Sequence, residues 1–260
     1  MNKDQKIEGE SVSNASKPRG RGIYLLPNLF TTAALFSGFY AVLASMDGQF
    51  EKAALAIFLA MLLDGLDGRV ARITNTQTGF GAQYDSLSDM VAFGLAPALV
   101  IYQWTLSNLG KIGWMAAFIF IAGAALRLAR FNSQEDKSDR RFFTGLPSPS
   151  AAAVLAGAVW VAVDNDFSPQ NWSWLAAGLT AICGLLMVSN FLYHSFKRID
   201  FKGKVPFFII VFVMLFFALV ISEPPIILFL IFFGYTLSGP ILSVQRLVRR
   251  RIRKRKRDLL

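Results

Sequence analysis

An all-helical, polytopic membrane protein is the fold class this sequence predicts, and three observations predict it. Hydrophobic residues make up 54% of the 260, with 24 phenylalanines, while charged residues supply only 17%. That is too little polar surface for one soluble domain of this length, which is the alternative fold. Apolar runs recur along the chain, each about 17–25 residues, the length that crosses the hydrocarbon at the helical rise. Short polar connectors separate the runs, and basic residues crowd onto alternate connectors.

The elements follow in order. Residues 1–22, "MNKDQKIEGESVSNASKPRGRG", are polar and lack an apolar core, so they read as a disordered tail rather than a secretion signal. Eight spans then fall at roughly 27–46, 52–72, 84–104, 113–132, 148–164, 173–194, 205–221 and 225–245. The first six lie within a membrane domain over 23–196; the last two, within 205–245, form an appended pair, followed by a basic tail over 246–260.

Lys and Arg fix the expected direction of the spans. The connectors "MDGQFE", "SNLGK", "DNDFSPQN" and "SEPP" hold only Lys52 and Lys111. Every other basic residue lies in a tail, in "RITNTQTGFGAQ", "NSQEDKSDRRFFTG" or "HSFKRIDFKGK", or in a helix end beside one of these. The positive-inside rule therefore puts both termini in the cytosol. The net charge of +10 concentrates in "RLVRRRIRKRKR" after the last span, where the expected partner is anionic membrane lipid rather than nucleic acid. Cys183 is the only cysteine and lies inside an apolar run, so it reads as a small buried hydrophobe. His194, the only histidine, reads as an interfacial residue at the end of the sixth span.

One stretch breaks the apolar pattern. "DGLDGRVARITNTQTGFGAQYDSLSD", residues 64–89, joins the second and third spans and carries Asp64, Asp67, Asp85 and Asp89. Asp64 and Asp67 are three apart and Asp85 and Asp89 four apart, so each pair shares a helix face. Asn75, Thr76, Gln77, Thr78, Gly79 and Gly81 read as a turn between antiparallel helices, which would bring the pairs to one point. Four acids at about 2.5–3.5 kcal/mol each would cost on the order of 10 kcal/mol, similar to a whole domain's stability. Arg69 and Arg72 are too few to offset them. One or two divalent cations would, and carboxylate oxygens suit Mg²⁺ or Mn²⁺. The absence of nearby His or Cys argues against zinc. Gly65, Gly68 and Ala71 make a small-residue stripe open either to a ligand or to another helix. Two other readings stand beside a metal site: solvated helix caps, and a cation pathway, for which the remaining spans offer few polar residues at mid-depth.

Written as D-x2-D-G-x2-A-R-x8-G-x3-D-x3-D, the stretch resembles the signature of the CDP-alcohol phosphotransferases, integral membrane enzymes of phospholipid synthesis. The resemblance implies a six-helix membrane domain, usually dimeric, with an active site opening to the cytosol. It assigns Asp64, Asp67, Asp85 and Asp89 as ligands of Mg²⁺ or Mn²⁺, Asp89 also as general base, and Gly68, Ala71, Arg72 and Gly81 to the CDP moiety. The softer motifs "LLPNLFTT", "YDSLSDMVAFGLAPA", "RLARFN" and "FTGLPSPSAA" are similar to the serine-using branch of that family. They imply CDP-diacylglycerol and L-serine as substrates, phosphatidylserine and CMP as products, and a bacterial inner membrane as the location. Arg127, Arg130, Asn132 and Asn28 are the candidate substrate contacts, since a guanidinium can clamp a phosphate or a carboxylate with two bonds. Glycerol 3-phosphate as acceptor and divalent cation transport are the alternative functions.

Overall fold

The first two helices already explain the general plan: each is apolar along most of its length, and they pack against one another from end to end. In the computed structural model, residues 25–74, 76, 78–133, 142–194 and 207–257 are described. Among them run α1 (Leu25–Met46), α2 (Phe50–Thr74), α3 (Gly79–Asp89), α4 (Ala96–Trp104), α5 (Lys111–Ser133), α6 (Ser148–Asp164), α7 (Pro169–Val188), α8 (Phe207–Ser222) and α9 (Pro224–Arg257). A π-helical segment, Met90–Leu95, joins α3 to α4 in one continuous rod, so the described helices form eight rods, at the positions of the eight expected spans. Five rods are long and apolar enough to cross a membrane: Leu26–Met46, Gly79–Trp104, Lys111–Ser133, Pro169–Val188 and Pro224–Ser243. The acids and arginines of α2 lower its hydropathy, and α6 and the apolar part of α8 are shorter.

Several boundaries depart from the sequence expectation. The third rod starts at Gly79, because Thr78 caps it: the Thr78 hydroxyl accepts the Gly81 N–H at 3.0 Å. Gly79 and Gly81 therefore sit in the first helical turn rather than in the linker. The sixth span ends early, at Val188, and Leu192–His194 form a short strand β2 instead of a helix end. It pairs antiparallel with β1 (Phe142–Thr144), Phe143 opposite Tyr193. Between β1 and α6, Gly145 takes a φ of +83°, open chiefly to glycine, and a side chain there would run into the Met187 carbonyl. The last helix does not stop near residue 245; it continues through the basic run to Arg257. The tail over 1–22 and, in the linker, Asn75 and Gln77 lie outside the described residues.

Close packing rests on small residues. A Cβ on Gly38 of α1 would collide with the Ala92 backbone of the π segment. Gly123 of α5 and Gly184 of α7 lie backbone to backbone, each leaving no room for a methyl group. In a bilayer such close approach replaces the hydrophobic drive that is missing between helices already surrounded by lipid. Cys183, next to Gly184, is fully buried in α7, as expected of a small apolar residue. At one end of the bundle the Thr105 and Ser173 hydroxyls share a hydrogen bond of 2.8 Å, tying the α4–α5 connector to α7. The opposite end holds the start of α1, the end of α2 and the start of α3, along with the ends of α5 and α7 and the start of α6.

Candidate active site

Three carboxylates, two from the second half of α2 and one from α3, meet at one point. Asp64, Asp67 and Asp85 each offer an oxygen, and these atoms lie within 4.8 Å of one another. Spacing explains the convergence: Asp64 and Asp67 share a face of α2, and the short turn folds α3 back against the start of α1. Asp67 is buried at 6% exposure. Its Oδ2 accepts a 2.7 Å hydrogen bond from Thr31, whose hydroxyl also contacts the Pro27 carbonyl. Ser88 of α3 donates to the Thr31 carbonyl at 3.0 Å, so α1, α2 and α3 are laced together through one threonine. Asp85 Oδ1 is buried with no hydrogen-bond partner.

That orphaned oxygen decides whether a metal suits the site. A buried carboxylate oxygen with no donor is costly unless a cation meets it. An all-oxygen donor set matches a hard divalent ion. The cluster could therefore hold a divalent metal. Asp89 stands slightly apart from the trio: it is one turn beyond Asp85, lies against Asp64, and is in the field of Arg127. Directly after it the helix widens into the π segment, a break that recurs at functional sites.

The other residues expected at the site are distributed around this cluster. Nothing lies within 4 Å of where a Cβ would stand on Gly65 or Gly68, so this stripe of α2 faces open space rather than another helix. Ala71 lies on the next turn of α2, and Arg72 folds back so that its Nε donates to the Gly68 carbonyl at 2.8 Å. Gly81 faces Asn28 of α1, whose Oδ1 would be 3.6 Å from a Cβ there. Asn132 Oδ1 accepts from Ser86 at 3.1 Å and so reaches α3 beside Asp85. Arg130 is directed elsewhere: its Nη1 donates to Asn190 Oδ1 at 3.3 Å, past the end of α7. Arg127 points inward, with Nη1 donating to Ser148 Oγ at 2.9 Å and Nε buried without a partner.

Sequence reasoning missed Thr31, Ser88 and Ser148. Each is a polar group inside an apolar span, and a buried polar group requires a partner. That signal could have named Thr31 as a partner for an acid, since it lies one helical turn from Asn28; it could not have said which acid.

Comparison with known proteins agrees with this geometry. The family model for CDP-alcohol phosphatidyltransferase matches residues 24–190. A CDP-diacylglycerol–serine O-phosphatidyltransferase of Helicobacter pylori strain J99 is 40% identical over 195 residues, 75% of this chain and 82% of that protein. One of the same name from Mycobacterium leprae is 32% identical over 238 residues, 86% of this chain and 77% of that protein. An archaetidylserine synthase of Methanothermobacter thermautotrophicus is 34% identical over 180 residues, 68% of this chain and 72% of that protein. The match spans α1 to α7 and contains every acid of the cluster; on that basis the chain belongs to the CDP-alcohol phosphatidyltransferase family.

Proposed function

We propose that this protein transfers the phosphatidyl group of CDP-diacylglycerol to the hydroxyl of L-serine, giving phosphatidylserine and CMP. The observation that carries the reading is the convergence of Asp64, Asp67 and Asp85 beside the open Gly65–Gly68 stripe. It is supported by the names of relatives at 32–40% identity. Asp64, Asp67 and Asp85 would hold Mg²⁺ or Mn²⁺, two ions in this reading, with Asp89 reaching in from the side. Bound there, the metal supplies positive charge against the donor's diphosphate and the leaving CMP.

The chain's own residues would do the rest. Gly68 leaves the α2 backbone open to the nucleotide, while Ala71, Arg72 and Gly81 line its site. The Arg72 guanidinium is held by the Gly68 carbonyl through Nε, which leaves its other N–H groups to donate to the phosphates. Asp89 accepts the serine hydroxyl proton as that oxygen attacks the phosphorus bonded to the lipid. A P–O bond forms to serine, the P–O bond to CMP breaks, and CMP departs with the electron pair. No covalent enzyme intermediate is required. Arg127, beside Asp89, receives the serine carboxylate. The site faces the cytosol of a bacterial inner membrane, the chain acts as a homodimer, and the basic end of α9 rests on anionic lipid.

Purified protein incubated with CDP-diacylglycerol and Mn²⁺ should release CMP with L-serine. Release only with glycerol 3-phosphate would reassign the acceptor. Silence with every alcohol, accompanied by metal flux into liposomes, would replace the enzyme with a transporter.

A further inference from the structure

Arg127 is gripped at one corner of its guanidinium and left open at another. Its Nη1 donates to the Ser148 hydroxyl at 2.9 Å, while Nε is buried with no hydrogen-bond partner. Ser148 is fully buried and opens α6. A short corner holds it there. Gly145 donates its N–H to the Phe191 carbonyl at 2.9 Å, and Leu146 donates to the Leu186 carbonyl at 3.0 Å, so the corner is tied to α7 and the residues just past it. Pro147, at φ −58° and ψ 134°, then leads the chain into the helix. The depth of Arg127 follows from two contacts between α5 and the third rod. Ser86 Oγ donates to Asn132 Oδ1 at 3.1 Å, and further in a Cβ on Gly94 would stand 3.2 Å from the Ala124 methyl. The two pairs run antiparallel, and between them Asp89 lies three residues past Ser86 and Arg127 five before Asn132. At 1.5 Å per residue, that sets Asp89 and Arg127 within about 3 Å of one level.

A guanidinium carries five N–H donors in a rigid plane and accepts nothing. Its lateral edge, Nε with Nη2, offers two parallel N–H groups, the geometry that grips a carboxylate or a phosphate. Ser148 takes Nη1, outside that edge, so it fixes the plane and leaves the edge to a ligand. The start of α6 adds the positive end of a helix dipole beside the guanidinium, and two positive groups in one buried place favour an anion. Beside Asp89, the proton acceptor of the reaction proposed above, that anion is carried by the attacking alcohol. We propose that Ser148 is a positioning residue of the acceptor site: its hydroxyl oxygen holds Nη1 so that the Nε edge of Arg127 receives the anionic group of the alcohol acceptor. This rests on that proposed reaction, in which the group is the serine carboxylate; the phosphate of glycerol 3-phosphate would meet the same edge.

Full-length S148A, S148T, R127K and the S148A/R127K double variant would be compared with wild type by initial rates of CMP release. Either acceptor or donor would be varied. S148A removes only the hydroxyl oxygen, and its acceptor KM should rise about three- to tenfold, the effect of one lost hydrogen bond, with the donor KM unchanged. S148T retains the hydroxyl and should keep the acceptor KM close to wild type. R127K should raise the acceptor KM further than S148A does. The double variant should be no worse than R127K, because Ser148 acts through Arg127. A wild-type acceptor KM in S148A, a parallel rise in donor and acceptor KM, an S148T as impaired as S148A, or additive effects in the double variant would overturn the proposal. If wild type uses glycerol 3-phosphate but not serine, the serine reading fails alone and Ser148 is judged on the KM for that acceptor. No CMP release with either acceptor overturns both.

Discussion

Asp67 and Asp89 differ in what surrounds them, and that difference fits the separate roles proposed for them. Asp67 is buried and fixed by Thr31, as would suit the metal ligand proposed above. Asp89 lies beside Asp64 and Arg127, at the edge of the trio. Asp89→Asn should lower turnover by a factor of about 10²–10⁴, the usual contribution of a positioned proton acceptor, with the protein still folded. A near wild-type rate in that variant would remove Asp89 from the chemistry. Thr31→Val keeps the shape but takes away the donor to Asp67, and metal affinity should fall about 10- to 100-fold, readable by Mn²⁺ titration. The four acids were legible because charges inside an apolar stretch stand out. Thr31 was not, because a hydroxyl can satisfy itself on its own helix, as Thr180 does on the Ala176 carbonyl. Only the fold shows that Thr31 also reaches across to α2.

Helix positions follow directly from hydropathy and charge, and the rods fall where apolar length predicts them. What the sequence concealed is how they end and how closely they pass. The cap at Thr78 extends the third rod by a turn, and β2 takes over where the sixth span was expected to continue. The π segment after Asp89 is invisible in "MVAFGL", since widening a helix by one residue leaves its apolar character unchanged. Close packing is testable at the same scale. Gly123→Leu would drive a branched side chain into the Gly184 backbone. It should destabilise the detergent-solubilised protein by about 1–3 kcal/mol, the usual cost of overpacking, seen as a lower melting temperature. Gly178, with open space around its Cβ position, provides the control: Gly178→Ala should leave the melting temperature at or slightly above wild type.

For the molecule as a whole, the charge distribution and the site tell one story. The ends of α2, α5 and α7 and the starts of α1, α3 and α6 gather at one face, and the arginine-bearing helix ends point the same way. If the basic side is cytosolic, a protease site appended after residue 260 should be cut in inside-out vesicles and protected in intact spheroplasts. The reverse pattern would invert the topology and move the active site to the other face. The central claim is that Asp64, Asp67 and Asp85 enclose a divalent cation against which the donor's diphosphate docks. Its most direct test is an anomalous difference map of the protein grown with Mn²⁺ and CDP-diacylglycerol. The account predicts a peak about 2.0–2.3 Å from carboxylate oxygens of all three residues, with the diphosphate beside it. A map with no peak among them, and the nucleotide bound elsewhere, would contradict it.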